Sequence, residues 1–161
     1  MSDVLCLYYS RTGKTKAAME EIAQALDAEL VAVTDGVDRS GFKGYMRSGR
    51  DAMRKGTKAL EPFETEKNLE DYRLVIVGTP IWAGRVSSPI RGLLKRRGLE
   101  LSHPCYVVTR DSDARYEDLY RQMDLYTAAP HLFAVSLRMN SVGYDFWRDK
   151  FIQDVKRYLE Q

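Results

Sequence analysis

The feature that most constrains this chain is an alternation of two hydrophobic patterns. Short, nearly continuous apolar runs are separated by longer stretches in which apolar residues recur every three to four positions. The first run, "VLCLYY" at 4–9, carries no charge. Such a run suits a parallel strand buried on both faces, not a strand with one wet face. From Lys14 the spacing changes. Ala18, Ile22, Ala25 and Leu26 fall on one helical face, with Lys16, Glu20, Glu21 and Gln24 elsewhere.

The alternation continues to the end of the chain. Strands are expected at 3–9, 29–33 and 72–78, in "HPCYVVTR" and in "HLFAVSLRM". Helices are expected at 14–27, in "SSPIRGLLKRRG" and at 116–127. Ser88 is a good N-cap there, with Pro89 at the first helical position. The closing "YDFWRDKFIQDVKRYLEQ" is amphipathic, with Phe146, Trp147, Phe151, Ile152, Val155 and Leu159 spaced for one face. The connection 34–68 is too long for a bare loop. Within it Phe42, Tyr45, Met46, Gly49 and Met53 recur at helical spacing, so "FKGYMRSGRDAMRKG" is expected to be a crossover helix, followed by "KALEPFE" running extended along the edge.

Strand–helix alternation predicts an α/β fold: a doubly wound, five-stranded parallel sheet of order 2-1-3-4-5, covered by helices on both sides. In such sheets ligands bind beyond the carboxyl ends of the strands, where the strand order reverses. The loops at that point are residues 10–15 and 79–85. With 161 residues, 44% hydrophobic and 30% charged, one ordinary globular domain spanning 1–161 is expected.

Charge and composition narrow the functions. The 25 basic and 23 acidic residues leave a net +2, which gives no strong case for nucleic acid. The basic run Lys95-Arg96-Arg97 precedes Gly98 and reads as a helix C-terminus. His103 and His131 each lie beside a proline and a strand, so no metal site is expected. No apolar run is long enough to span a membrane, and the start "MSDVLCLYYS" lacks a basic region before its apolar stretch, so a cytoplasmic location without membrane insertion is expected. Cys6 and Cys105 fall in expected strands and read as reduced core residues.

Gly13-Lys14-Thr15 invites a nucleoside triphosphate reading. A P-loop needs glycine five positions before Gly13, because a long loop must wrap several phosphates; that position is Tyr8, inside the first strand. The turn from 10 to 13 can surround one phosphate. A helix N-terminus offers unpaired amides and partial positive charge. Ser10, Thr12 and Thr15 could add hydroxyls, Gly13 a close backbone approach, and Arg11 and Lys14 charge. The plainer alternative is that Ser10 and Thr12 cap the helix.

The loop after the third strand, "GTPIWAGRVSSPI", places Trp82 just past a strand end. An exposed aromatic there would need something to stack on, or would lid the domain's own core.

Together the two loops resemble those of flavodoxins. "YYSRTGKT" is similar to the family's phosphate loop, Ser/Thr-x-Thr-Gly-x-Thr, and "GTPIWAGRVSSPI" to the flavin-ring loop of its short-chain members. The resemblance covers essentially the whole chain. It implies a flavodoxin-like fold and noncovalent FMN, with the phosphate on Ser10, Arg11, Thr12, Gly13, Lys14 and Thr15. It implies the ring against Pro80, Ile81, Trp82, Ala83 and Gly84, with Thr79 and Arg85 at the ends of that loop. In the flavodoxin pattern a glycine peptide at Gly84 turns its carbonyl toward the reduced ring, and Arg85 would place charge near the ring's pyrimidine end. The third flavin loop departs from the pattern: "TRDSDARYEDLY" has no glycine. Asp111 and Asp113 could accept from flavin N–H groups or cap the next helix, and Tyr116 could cover the ring or pack in the core.

The same fold hosts receiver domains and low-molecular-weight tyrosine phosphatases. A receiver needs aspartate at the end of strand three, where this chain has Gly78-Thr79-Pro80. The phosphatase needs five residues between cysteine and arginine, and Cys6 and Arg11 are one residue too close. The resemblance therefore implies an electron carrier with redox partner proteins. The alternative is an FMN-dependent NAD(P)H reductase of quinones or similar small acceptors, and a cofactor-free binding module is a third reading. The carrier reading takes no residue as catalytic and expects a monomer or weak dimer. Flavodoxin carriers are usually strongly acidic, which a net +2 does not match.

Overall fold

The computed structural model describes residues 2–161. Its strands are β1 (Val4–Tyr8), β2 (Glu29–Ala32), β3 (Leu74–Trp82), β4 (Arg85–Val86), β5 (Pro104–Arg110) and β6 (Phe133–Arg138). Five of them pair in parallel in the order β2-β1-β3-β5-β6, and β4 folds back antiparallel on β3. Counted over the parallel strands this is the expected 2-1-3-4-5 order. The reversal point lies between β1 and β3, where Tyr8 stands beside Gly78.

Alternate residues of each strand serve opposite faces, because strand side chains have period two. Leu5, Leu7, Val75, Val77, Tyr106 and Val108 pack with one core, which holds Ala52, Ile90, Leu93, Leu119 and Met123. These come from α2 (Gly41–Arg54), α3 (Ser88–Arg97) and α4 (Leu119–Asp124). Val4, Cys6, Leu74, Ile76, Cys105 and Val107 pack with the other, under α1 (Lys14–Leu26) and α5 (Tyr144–Leu159). Burial on both faces is why these strands read as unbroken apolar runs. β2 and β6 are the two edge strands, and the residues of β2 are half-buried or exposed.

Three local expectations are corrected. β3 continues past residue 78 to Trp82 and returns as β4, with Ile81 opposite Val86 and Trp82 opposite Arg85. The two-residue turn between them holds Ala83 at φ 51° and Gly84 at φ 73°, the pair of left-handed conformations a tight hairpin requires. Alanine is an uncommon residue for that role, so the turn signal in the sequence is weak. The helix expected at 116–127 is only Leu119–Asp124, and Tyr116 just before it is left-handed at φ 56°. Ser87, not Ser88, precedes α3, and its hydroxyl meets Thr79 Oγ1 at 2.9 Å and caps nothing.

The crossover helix α2 forms as expected, but another of its faces packs. Gly44, Ser48 and Ala52, spaced four apart, are buried. A Cβ at Gly44 would lie 1.9 Å from the Arg39 carbonyl, so glycine is needed for the chain entering α2 to fold against its first turn. The apolar stripe is turned outward, with Phe42 77%, Tyr45 61%, Met46 56% and Met53 63% exposed.

Candidate functional site

Beyond the end of β1 the chain passes through Ser10 into the turn that starts α1. Gly13 holds the N-cap position at φ 95°, and no side chain caps the helix. Ser10 Oγ accepts instead from the Gly13 amide at 3.0 Å. The capping alternative for Ser10 and Thr12 is thereby set aside. The first-turn amides, at the positive end of the helix dipole, are left without a side-chain partner.

Two contacts tie this turn to β5. Thr15, buried, shares a 2.7 Å hydrogen bond between its hydroxyl and that of Thr109. Lys14 Nζ donates to Asp111 at 2.6 Å across the surface. Arg11 Nη1 donates to the Arg39 carbonyl at 3.2 Å, and its guanidinium carbon lies 5.6 Å from the centre of the Tyr45 ring. The turn is thus braced from both sides.

The turn opens into a cavity of about 580 Å³, within the usual range for small-molecule sites. Thr12 and Lys14 form one end. Tyr45, Met46 and Met53 of α2 form a wall, the hairpin residues Pro80–Gly84 another, and Thr109, Arg110, Asp111, Ser112 and Tyr116 the third. Tyr116 stands against the hairpin: a Cβ at Gly84 would sit 3.7 Å from Tyr116 Cε1.

Trp82 is not the exposed loop aromatic that the sequence suggests. It ends β3, is 7% exposed and belongs to the core under α2 and α3. Tyr9 meets it edge-on with ring centres 5.5 Å apart. The Arg39 guanidinium covers it at 4.8 Å. Arg39 is itself buried, pairing with Asp35 at 2.8 Å and Asp51 at 3.1 Å and donating to Ser48 at 3.3 Å. Trp82 lines the cavity but has little free surface for a ligand to stack on. Burial also pushes the Tyr9 hydroxyl above its usual range, which keeps it neutral.

Other expected site residues divide. Arg11, Thr12, Lys14, Thr15, Pro80, Ile81, Trp82, Ala83, Gly84 and Asp111 line the cavity, while Ser10 and Gly13 shape the turn. Thr79 is fully buried; its hydroxyl accepts from the Ser87 amide at 3.2 Å and builds the base of the hairpin. Arg85 lies off the cavity and donates to the Ala83 carbonyl at 3.2 Å. Asp113 lies on the far side of the β5–α4 loop, bonded to Arg138. Thr79, Arg85 and Asp113 thus do not line the cavity. Neither Asp111 nor Asp113 caps α4, whose N-cap is Asp118.

The α2 wall and Arg110 are cavity residues that sequence reasoning did not assign. The signal for α2 was present, because the Gly44-Ser48-Ala52 spacing marks a small-residue packing face and frees the aromatic and methionine stripe for another task. Among the described residues no group of three or more His, Cys, Asp or Glu could hold a metal, and no helix is long and apolar enough to cross a membrane.

No family model matches the chain. An NAD(P)H dehydrogenase (quinone) of Cupriavidus metallidurans is 32% identical to it over 98 residues, 61% of this chain and 48% of that one. The match thus spans about half of that relative's length. Among solved structures, a flavoprotein from Lactobacillus acidophilus in complex with FMN superimposes with a TM-score of 0.66 at 22% identity, over 91% of this chain and 99% of that one. Oxidised flavodoxin 1 from Bacillus cereus gives 0.54 at 15% identity, over 98% and 97%. The fold is flavodoxin-like.

Proposed function

We propose that the chain binds one FMN without a covalent bond and exchanges electrons with redox partner proteins. The observation that carries this reading is the join between the uncapped start of α1 and the 580 Å³ cavity. A phosphate seated on the amides of that turn leaves an attached planar group to enter the slot between α2 and the β3–β4 hairpin. The residues fit the group: Thr12 and Thr15 offer hydroxyls, Arg11 and Lys14 charge, and Gly13 an approach free of a side chain. Pro80, Ile81, Ala83 and Gly84 line one side of the ring site; Tyr45, Met46 and Tyr116 line the others.

Bound FMN supplies one-electron and two-electron redox chemistry at its ring. The chain binds its phosphate, covers its ring and restricts water. Trp82 serves this from behind, holding the hairpin against the core. At Gly84 the peptide can reorient its carbonyl at little steric cost, and Asp111 can accept from a ring N–H.

A second reading, an FMN-dependent NAD(P)H reductase of quinones, is favoured by the sequence likeness to the Cupriavidus metallidurans NAD(P)H dehydrogenase (quinone). Anaerobic reductive titration separates the two. Two resolved one-electron steps with negligible NAD(P)H oxidation are expected for the carrier; direct reduction by NAD(P)H with quinone turnover refutes it. Free, buried cysteines support a reducing, cytoplasmic setting.

A further inference from the structure

A second hollow, of about 190 Å³, lies behind the β5–α4 loop. That loop is a partition. Asp111, Ser112 and Tyr116 line the large cavity, Asp113 and Arg115 line the small one, and Arg110 borders both. The small hollow is dominated by three guanidinium groups, those of Arg110, Arg115 and Arg138, against the single lining carboxylate of Asp113.

The three differ in how they are paired. Arg110 is half-buried, with Nε donating to Ser136 Oγ at 2.8 Å and Nη1 to the Ser112 carbonyl at 2.6 Å. Among the described residues no carboxylate pairs with it. Burial, then the charges of Arg115 and Arg138, hold it below its usual range. The Arg115 guanidinium lies 4.5 Å over Trp147. Its Nε is buried without a hydrogen bond, although Glu117 comes within 3.4 Å. Arg138 pairs with Asp113, whose side chain is 94% exposed. Three guanidinium groups around one hollow repel one another, and an anion seated among them would offset that repulsion.

We propose that this hollow is an anion site, separate from the α1 turn, that takes a phosphate monoester. The volume holds one phosphate, and the guanidinium lining, not the size, selects an anion. Because Arg110 is the common wall, a ligand anchored here by its phosphate can extend over it into the large cavity. The phosphate is either free or carried on a dinucleotide, and both are recognised by the same guanidinium forks.

Isothermal titration of the full chain decides this. With FMN in saturating excess the α1 turn is filled, and inorganic phosphate, 2′,5′-ADP and 5′-AMP are added at constant ionic strength. Saturable binding is expected, weakened about tenfold by Arg115→Gln and by Arg138→Gln, with the flavin spectrum unchanged. Binding of 2′,5′-ADP far tighter than inorganic phosphate identifies a dinucleotide as the source; equal binding identifies free phosphate. No saturable binding, or binding indifferent to both variants, overturns the site. A chain that takes up no FMN would overturn the cofactor reading instead. Phosphate titration without FMN then still decides, since loss with Arg138→Gln supports this site and loss only with Thr12→Ala overturns it.

Discussion

The guanidinium of Arg39 lies 4.8 Å from the centre of the Trp82 ring, and the same side chain pairs with Asp35 at 2.8 Å in the protein interior. One buried cation thus fixes the end of β3, the second half of α2 through Asp51 and Ser48, and, through its carbonyl, Arg11 of the phosphate turn. Arg39→Met keeps the volume but strands the Asp35 carboxylate, so a loss of roughly 3 kcal/mol in unfolding free energy is expected. Urea denaturation measures it. A loss under about 1 kcal/mol would mean that the pair adds little and that Trp82 is held by apolar packing alone.

The aromatic residues near the cavity divide into supports and walls. Trp82→Ala removes a core side chain and should cost roughly 3–5 kcal/mol of stability. Tyr45→Ala and Met46→Ala, at exposed positions on α2, should leave the melting temperature nearly unchanged while weakening flavin binding several-fold. Flavin fluorescence titration and thermal melts, run on all three variants, test the division. Equal flavin affinity in wild type and the two α2 variants would remove α2 from the ring site.

The phosphate turn has its own signature. Thr12 is exposed and offers its hydroxyl to the site without holding the fold together. Thr12→Ala should weaken FMN about tenfold, the size of one hydrogen bond to a charged group, and leave riboflavin binding unchanged. Wild-type protein should bind riboflavin far less well than FMN. Equal affinities for the two flavins would rule out a phosphate at the start of α1.

The thiols should be silent in the native state. Cys6 and Cys105 are fully buried. Burial pushes the Cys105 thiol up to about 12 and raises that of Cys6 further. A raised thiol stays protonated through the neutral range, and only the thiolate reacts. No labelling by a thiol reagent is expected at pH 8 until the chain is unfolded, when both should react. Rapid labelling of folded protein would show that the sheet opens locally between α1 and α5.

Much of this architecture is determined by sequence alone, because it follows from local periodicity. The apolar runs at 4–8 and 104–108 point to strands covered on both sides, and the helical spacing after Lys14 marks the crossover. From these the strand order, its reversal point and the two loops beside it follow. What lies inside those loops did not. Trp82 reads as an exposed aromatic until the left-handed pair Ala83 and Gly84 prolongs β3 and carries it into the core beneath Arg39. The stripe on α2 marks a helix by its spacing, but the structure buries Gly44, Ser48 and Ala52 and turns the stripe outward. Arg110, Arg115 and Arg138 are unremarkable surface charges until β5 and β6 become neighbours and set Arg110 opposite Arg138. A one-dimensional pattern records which residues share a face of one element. Which faces meet depends on contacts between segments far apart in the chain, such as the pairing of β5 with β6.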